Sequence, residues 1–283
     1  MVNKKAVLIT GCSSGIGRAT ALHLAHQGFT VLATVRRESD AESLRALGQP
    51  HLIPICPLDL ARPEHIPPAV EAVKRELVNR GIKGLYAFVN NAGGGFVAPV
   101  ELMDVGRFRT ELEARLAGPV ALVQALLPLI REAGGRLVWV MTPAIIPTPY
   151  VASIHACDFA ANCLARTLDI ELKPWAIPVI MVRCGGIQSA AVGKTYAELE
   201  EQLRSWPPER LALYEQALRQ WQEEMAAFDS QRTPPEAVAE VVGRALSAPR
   251  PRRRYSIGHM ARAAAFLEAL PQGLADAILK ARA

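Results

Sequence analysis

The sequence predicts an α/β fold in which a doubly wound parallel sheet of about seven strands carries helices on both faces. Two observations lead to this prediction. From Lys5 to about Ile187, short β-rich runs alternate with helical patterns, and the first run enters a helix directly through a glycine-rich turn. Alternation of this kind is typical of β-α-β units, whose crossover connections leave neighbouring strands parallel.

Six runs rich in β-branched and aromatic residues are expected to form the strands of this part of the chain. They are AVLIT, TVLATV, LIPI, LYAFVN, RLVWVMT and PVIMVR. Helices are expected between them, near residues 15–27, 40–48, 64–80, 103–132 and 152–173. In each helical pattern the apolar residues recur with the period that places one face of a helix on a sheet.

After Gly186 the pattern becomes helical, and no strand signal occurs until RRYSIG. We predict a helical cap at about 190–230, a helix at 234–247, and a C-terminal unit at about 250–283. This unit holds the strand RRYSIG and one amphipathic helix, MARAAAFLEALPQGLADAILK. The prediction for residues 1–283 is therefore a single domain with a helical cap.

Composition and charge exclude several other classes of protein. Half of the 283 residues are hydrophobic and 21% are charged, which is usual for a globular domain and unlike a disordered chain. The five cysteines form no CxxC spacing or Cys/His cluster, so we predict no disulfide framework and no metal site. The basic run PRPRRRY at 249–255 is interpreted as a solvated turn, and nucleic acid is not an expected partner.

The sequence is also expected to lack an integral membrane segment. No apolar run reaches the roughly 18 residues that a spanning helix needs. The N-terminal stretch MVNKKAVLIT enters a short strand and does not resemble the apolar core of a signal peptide. We therefore expect a cytoplasmic protein.

The glycine-rich turn in VLITGCSSGIGRATALHLAHQG predicts a dinucleotide site. Gly11, Gly15 and Gly17 allow the backbone to approach a pyrophosphate closely, and the helix that follows offers free N–H groups and the positive end of its dipole. Because a strand precedes the turn and a helix follows it, the context that such a site requires is present on both sides.

Three motifs resemble those of the short-chain dehydrogenase/reductase family. Residues 10–17, TGCSSGIG, resemble the family's TGxxxGIG, residues 90–93 read NNAG, and Asp59 matches the family's adenine-contacting Asp. The resemblance implies a Rossmann-type fold over nearly the whole chain and a nicotinamide cofactor. The expected cofactor-binding residues are Thr10, Gly11, Ser13, Ser14, Gly15, Ile16, Gly17, Arg36, Arg37, Asp59, Asn90, Ala92, Gly93, Asp158 and Gly185.

The end of the second strand favours NADP(H) over NAD(H). A site for NAD usually places a carboxylate there for the ribose 2′-hydroxyl, whereas a 2′-phosphate requires an arginine. In this sequence Val35 stands at the acidic position, and Arg36 and Arg37 follow it. The alternative is that both arginines are simply solvated.

The resemblance also implies a catalytic tetrad of Asn, Ser, Tyr and Lys, and most of it is missing. Counting back from DIEL at 169–172, which resembles the end of the family's catalytic helix, places Ile154 at the Tyr position and Asp158 at the Lys position. Ile154 also stands twelve residues after Thr142, the match of the Ser, which is near the family's usual spacing. Arg115 occupies the Asn position, so only Thr142 keeps a tetrad function.

A second register is suggested by PYVAS, which resembles the family's PYxAS and would make Tyr150 the general acid/base. It places Ile154 at the Lys position and Tyr150 only eight positions after Thr142. We therefore favour the first register, and both registers lose the lysine.

Three hypotheses follow for this site. A buried Asp158 needs a partner, and Arg115 is the first candidate. His155, three residues earlier on the same helix, is the second, and a His–Asp pair near Thr142 could provide a new general base. The third is that Tyr150 reaches the site from the preceding loop as a displaced acid.

The predicted cap resembles the large substrate loop of steroid- and retinol-type members of the family, which implies an apolar ligand pocket. Its aromatic residues are Trp206, Tyr214, Trp221 and Phe228. Alternatively, these side chains only pack the cap onto the sheet.

The predicted function is an NADP(H)-binding relative of this family with a degenerate tetrad. It either lacks ordinary carbonyl/alcohol redox activity or is repurposed to other chemistry on an apolar substrate. One alternative is an active NADP-dependent oxidoreductase of a hydrophobic alcohol or ketone that uses Tyr150 or His155 as the acid. Another is a non-catalytic oligomer partner of an active relative, and a homodimer or homotetramer is expected.

Overall fold

The computed structural model describes residues 5–143 and 147–280, and its centre is one parallel sheet. The strands are β1 (Ala6–Ile9), β2 (Thr30–Thr34), β3 (Leu52–Ile55), β4 (Ala87–Asn90), β5 (Arg136–Met141), β6 (Val179–Cys184) and β7 (Arg254–Ile257). Their order across the sheet is β3-β2-β1-β4-β5-β6-β7, with every neighbouring pair parallel. The prediction of a doubly wound parallel sheet of about seven strands is confirmed.

Eleven α-helices occur in the described ranges 5–143 and 147–280. They are α1 (Gly15–His26), α2 (Glu38–Arg45), α3 (Ile66–Asn79), α4 (Val105–Leu112), α5 (Gly118–Glu132), α6 (Ala152–Glu171), α7 (Ala190–Ser205), α8 (Pro208–Asp229), α9 (Pro235–Ser247), α10 (Ala261–Glu268) and α11 (Gln272–Lys280). Short 3-10 turns lie at Pro63–His65, Val100–Leu102 and Lys173–Trp175. A π-helical turn, Glu113–Ala117, joins α4 to α5 without a break.

Two apolar layers hold the helices against the sheet. On one face, α3, α5 and α6 contribute buried residues such as Val70, Leu126 and Ala165 to one core cluster. On the other face, α1, α2 and α9 contribute residues such as Leu24 and Val242 to a second cluster. Strands β1, β2, β4 and β6 are buried on both faces, which explains why their sequences are nearly continuous apolar runs and show little alternation.

The order of the strands determines where a ligand can bind. The chain runs from β1 outward to β2 and β3 on one side, and the connection after β3 crosses back to β4 on the other side of β1. In open α/β sheets, a crevice forms at this switch point beyond the carboxyl ends of the strands. The loops that follow β1, β4, β5 and β6 all reach this edge, and they carry most of the residues that the sequence singled out.

The C-terminal helix was predicted as one element, and this prediction is wrong. The structure has two helices there, α10 and α11, because Pro271 lies between them. A proline has no N–H to donate, and its ring collides with the preceding turn of a helix.

By length and composition one helix could span a membrane, contrary to the sequence reasoning, whereas the absence of an integral membrane segment stays a prediction. The continuous helix Val105–Glu132 has an 18-residue window with mean hydropathy 1.3. A third of that window is buried, and the buried face, with Leu122, Leu126 and Ile130, belongs to the core. Because a core helix can pass the same test of length and composition, this helix alone does not indicate a membrane protein.

Leu126 tests how strongly α5 is held on the sheet. Its side chain is fully buried in the core cluster. Replacing it leaves a cavity, so Leu126→Ala is expected to lower the free energy of unfolding by about 3 kcal/mol. The exposed Gln124 on the same helix is the control, and Gln124→Ala should change that energy by less than about 0.5 kcal/mol. Urea unfolding measures both, and equal effects would contradict the packing described for α5.

Candidate active site and nucleotide cleft

A cavity of about 650 Å³ lies at the switch point, beyond the carboxyl ends of β1, β4, β5 and β6. With one exception, Arg37, every predicted cofactor-binding residue lines it. Arg37 instead occupies the N-cap position of α2, where it is exposed. The sequence thus located this cleft, while its second arginine lies outside it.

The glycine turn has the close backbone contacts that a dinucleotide cradle requires. Gly11 has a φ of +72°, a conformation that favours glycine. A Cβ on Gly17 would lie 2.2 Å from the carbonyl oxygen of Gly11, so no larger residue fits there. Ser14 makes no side-chain cap on α1 among the described residues, which leaves the first N–H groups of that helix available to an anion. These features fit a pyrophosphate.

The NNAG segment is tied to this turn by hydrogen bonds through Thr10. The backbone N–H groups of Asn91 and Ala92 each donate to Thr10 Oγ1 at 2.9 Å, and Asn91 Nδ2 donates to the Thr10 carbonyl at 2.9 Å. The ends of β1 and β4 therefore form one rigid floor. This explains why both motifs line the same cavity, although eighty residues separate them.

The nucleoside end of the cleft is formed by the loops after β2 and β3. Val35 is buried and Arg36 is exposed, and both line the cavity. Asp59 Oδ1 accepts a hydrogen bond from the N–H of Ala61 at 3.1 Å, which fixes the orientation of this carboxylate. Of the two arginines after the second strand, Arg36 alone lines this end of the cavity.

At the opposite end of the cavity, Asp158 on α6 is buried and bound from three directions. Arg115 Nη2 lies 2.5 Å from Asp158 Oδ1. Thr142 donates to Asp158 Oδ2 twice, from its backbone N–H at 3.0 Å and from its hydroxyl at 2.6 Å. The predicted pairing of Arg115 with Asp158 is confirmed, and Thr142 is a further partner of the carboxylate.

The π-helical turn brings Arg115 to this position. Such turns interrupt α-helices mostly at functional sites, because they change the direction in which side chains point. From this turn, Arg115 Nη1 also donates to the Gly94 carbonyl at 2.8 Å. The arginine therefore connects α6, through Asp158, to the loop that follows the NNAG segment.

Ile154 stands one helical turn before Asp158 and lines the same cavity. Its Cγ1 is 2.2 Å from the point where a Cβ on Gly95 would lie, and Gly95 has a φ of +135°. The preceding residue, Ser153, exchanges two hydrogen bonds with the backbone of Phe96, at 2.5 and 3.0 Å. The α6 register that places Ile154 and Asp158 in the cavity is thus held by direct contacts.

Neither predicted substitute acid lines the described part of the cavity. Tyr150 has a φ of +66°, and its ring packs edge-on against Trp221 with the centroids 6.3 Å apart. It belongs to a small apolar cluster with Trp221 and Val97, formed between the cap and the loop before α6. His155 lies on the first turn of α6 outside the cavity lining. The structure brings Thr142 and Asp158 together but does not bring Tyr150 or His155 to them.

Several cavity residues were missed by the sequence reasoning. Arg107 and Glu111 line the wall beside Arg115, at a spacing of four residues that could have revealed them. Burial raises the pKa of the Glu111 carboxyl above its usual range, while Arg115 and Arg107 oppose that shift. From α7, Lys194 and Tyr196 also line the cavity, although no motif distinguishes them.

The cap covers the cavity with helices α7 and α8. Of the four aromatic residues predicted to matter, Trp221 lines the cavity and Trp206 packs in the same apolar cluster. Tyr214 donates its hydroxyl to Glu101 at 2.8 Å, and Phe228 packs on His259. The aromatic residues of the cap therefore divide into two groups. Trp221 lines the cavity, whereas Tyr214 and Phe228 only hold the cap in place.

The thiols of Cys184 and Cys157 are poorly suited to nucleophilic chemistry. Burial raises the pKa of the Cys184 thiol, which lines the cavity, to about 12. It likewise raises the pKa of Cys157, the neighbour of Asp158 on α6. A thiol with a raised pKa carries little of the reactive thiolate at neutral pH.

The sequence is similar to a known family of enzymes over most of its length. The model of the short chain dehydrogenase family matches residues 5–200. The 11-beta-hydroxysteroid dehydrogenase type 2 of Ovis aries is 37% identical over 267 residues, which cover 91% of this chain and 62% of that protein. The protein of the same name from Homo sapiens is 35% identical over 293 residues, covering 99% and 71%. The chain thus spans about two thirds of the length of these curated relatives.

Solved structures give the same fold. A short-chain dehydrogenase from Streptomyces avermitilis superposes with a TM-score of 0.73 at 25% identity, covering 97% of this chain and 93% of that chain. A short chain dehydrogenase from Burkholderia cenocepacia in complex with NADP gives a TM-score of 0.72 at 22% identity, covering 97% of both chains.

The buried pair makes a direct prediction for stability. Arg115→Ala leaves the Asp158 carboxylate buried without its cation, so it should lower the free energy of unfolding by about 3–5 kcal/mol. A double-mutant cycle with Asp158→Ala should give a coupling energy above about 1.5 kcal/mol in chemical denaturation.

The exposed pair Arg219–Glu215 is the matched control, because its side chains are 68% and 47% exposed, against 9% and 6% for Arg115 and Asp158. Its cycle should give less than about 0.5 kcal/mol. The assignment is wrong if Arg115→Ala changes neither the stability nor the affinity for the nicotinamide cofactor.

Proposed function

The chain belongs to the short-chain dehydrogenase family, and on that basis we propose that it binds NADP(H) together with an apolar ligand and does not carry out ordinary hydride transfer. The observation that carries the proposal is the occupied Asp158 carboxylate, bound by Arg115 and Thr142 with Ile154 beside it. In this protein, these residues stand where the resemblance implies the catalytic tetrad.

The chemistry of these four residues supports the loss of ordinary activity. A positioned general acid contributes roughly 10²–10⁴-fold to the rate of a proton-coupled step. Ile154 has no proton to transfer. Asp158 already accepts three hydrogen bonds, and the Thr142 hydroxyl proton points to Asp158 at 2.6 Å. No proton-transfer group therefore remains at the four tetrad positions for a carbonyl or alcohol oxygen.

The nucleotide half of the cleft supports cofactor binding. The glycine turn, the free N-terminus of α1 and the Thr10 contacts together form a cradle that a side chain would fill. Bound there, the dinucleotide would supply a hydride donor or acceptor, and the residues of the turn would hold its pyrophosphate. Asp158 could accept a hydrogen bond from a ribose hydroxyl only by sharing an oxygen that is already bonded.

The preference for NADP(H) is supported by Arg36. This arginine lines the cavity, and the neighbouring position, Val35, has no carboxylate to bind a 2′-hydroxyl. An arginine at the end of the second strand matches a 2′-phosphate in charge and in hydrogen-bonding geometry.

A steroid-sized apolar ligand is supported by two observations. Val97, Ile154, Trp221 and Met225 form an apolar wall of the cavity. The first relatives described above are named as hydroxysteroid dehydrogenases. We propose that this chain has kept a pocket for such molecules while losing the groups that reduce or oxidise them.

The runner-up, an active reductase with Tyr150 or His155 as acid, is less well supported. Tyr150 is committed to the apolar cluster with Trp221, and His155 lies outside the described cavity lining. The binding role therefore fits the positions of the side chains better.

Restoring the tetrad tests the proposal. The unaltered protein should bind NADPH but show no steady loss of absorbance at 340 nm with a panel of hydrophobic ketones that includes ketosteroids. The variant Arg115→Asn, Thr142→Ser, Ile154→Tyr, Asp158→Lys should oxidise NADPH at least about 100-fold faster, since it regains the acid and the cation.

The control is Ile154→Tyr alone, which leaves Asp158 paired with Arg115 and should stay inactive. Thermal melting and NADPH titration establish that each variant is folded and binds cofactor. Steady turnover by the unaltered chain at ordinary enzyme rates would refute the proposed function.

The cofactor preference has its own test in Arg36→Ala. Losing a charged hydrogen bond to the 2′-phosphate should weaken NADPH binding about tenfold or more, with NADH binding unchanged. Arg37→Ala is the control, because that side chain lies outside the cavity and should affect neither nucleotide. Fluorescence titration of the reduced cofactors measures both, and equal effects of Arg36→Ala on NADPH and NADH would exclude the assignment.

A further inference from the structure

One wall of the cavity carries three charged side chains at intervals of four residues. Arg107 and Glu111 lie on α4, and Arg115 lies on the π-helical turn that follows, and all three line the cavity. We call these three residues the charged wall. These alternating charges border the same cavity as the apolar side chains of Val97, Ile154 and Trp221.

The two arginines of the charged wall already have anionic partners. Arg107 forms an ion pair with Glu198 on α7 and lies over the ring of Phe96, with the guanidinium carbon 4.4 Å from the ring centroid. Arg115 is paired with Asp158. Both cations therefore serve structural contacts, one to the cap and one to α6.

Glu111 lies between Arg107 and Arg115 along the helix and has no ionic partner of this kind among the described residues. Among the residues that the structure describes, it takes part in no hydrogen bond or ion pair, although it is half-buried. Its two carboxylate oxygens lie 3.5 and 3.6 Å from the point where a Cβ on Gly94 would stand. A partly desolvated carboxylate without a hydrogen-bond donor is costly, and a ligand that supplies a donor lowers that cost.

The position of Glu111 relates it to the ligand end of the cavity. Gly94 and Gly95 are consecutive, and the space beside the first, where a Cβ would point, faces the Glu111 carboxylate, while the space beside the second is filled by Ile154. Ile154 belongs to the apolar wall with Val97 and Trp221. A pocket with one convergent polar group among apolar side chains is the usual arrangement for orienting a small molecule.

We propose that Glu111 is a ligand-anchoring residue whose carboxylate accepts a hydrogen bond from a hydroxyl group of the apolar molecule bound in this cavity. The inference rests on the proposed binding function and adds to it the chemical class of the ligand, an apolar alcohol. The raised pKa of Glu111 agrees with this role, because burial raises it more than the nearby Arg115 and Arg107 lower it. Glu111 thereby selects among ligands and takes part in no reaction.

The test uses the full chain saturated with NADPH and two probes, a hydroxysteroid and the same steroid with hydrogen in place of the hydroxyl. Calorimetric titration of the unaltered protein should show about tenfold tighter binding of the hydroxysteroid, the factor typical of a hydrogen bond to a charged group. Glu111→Ala should abolish this preference, and Glu111→Gln, which keeps a neutral acceptor, should retain part of it.

The matched control is Glu113→Ala, which removes the same charge two residues away from an exposed side chain outside the cavity lining. It should keep the tenfold preference. The inference is overturned if Glu111→Ala keeps that preference, if Glu113→Ala loses it equally, or if the unaltered protein binds neither steroid or both alike. NADPH affinity and the absence of turnover are measured separately, so failure of the proposed cofactor binding or of its missing hydride transfer remains distinguishable.

Discussion

The buried carboxylate of Asp158 is the constraint around which the ligand end of this molecule is built. A buried charge is tolerated only when a cation or several donors meet it, and here Arg115 and both donors of Thr142 do so. These contacts join α6, the end of β5 and the long helix α4–α5 at one point. Arg115 extends the connection to Gly94 and so fixes the loop that forms the floor of the pocket.

The two ends of the cleft differ in how they are constructed. At the nucleotide end, backbone segments lie close together, since Gly17 packs against the Gly11 carbonyl and Thr10 holds the NNAG segment by hydrogen bonds. At the other end, side chains determine the chemistry of the surface, and those of Arg115, Thr142 and Asp158 pair with each other. The nucleotide cradle is therefore built from other residues than those around Asp158, and the proposed loss of proton transfer leaves it intact.

The cap links the pocket to the rest of the fold through polar as well as apolar contacts. Arg107 on α4 pairs with Glu198 on α7, and Tyr214 on α8 bonds to Glu101. Inside, Trp221 packs against Tyr150 and Tyr196. The hydroxyl of Tyr196 donates to Asp229 at 2.7 Å. Burial, together with this hydrogen bond, raises the pKa of Tyr196, so its hydroxyl is a poor acid. The cap thus encloses the cavity through both polar and apolar contacts.

The sequence by itself determined the α/β architecture, the glycine turn and the substituted tetrad positions, because these depend on local patterns: apolar periodicity, glycine spacing and the count between Thr142, Ile154 and Asp158. It also suggested that Arg115 meets Asp158, since a buried carboxylate needs a cation. The break at Pro271 could have been read from the chain, whereas the exclusion of Arg37 from the cleft could not. Only the tertiary structure decided that Tyr150 packs against the cap and that Glu111 lines the cavity with no hydrogen-bond or ion-pair partner among the described residues. Those outcomes depend on where separate helices meet, and the spacing of residues along one chain does not specify such contacts.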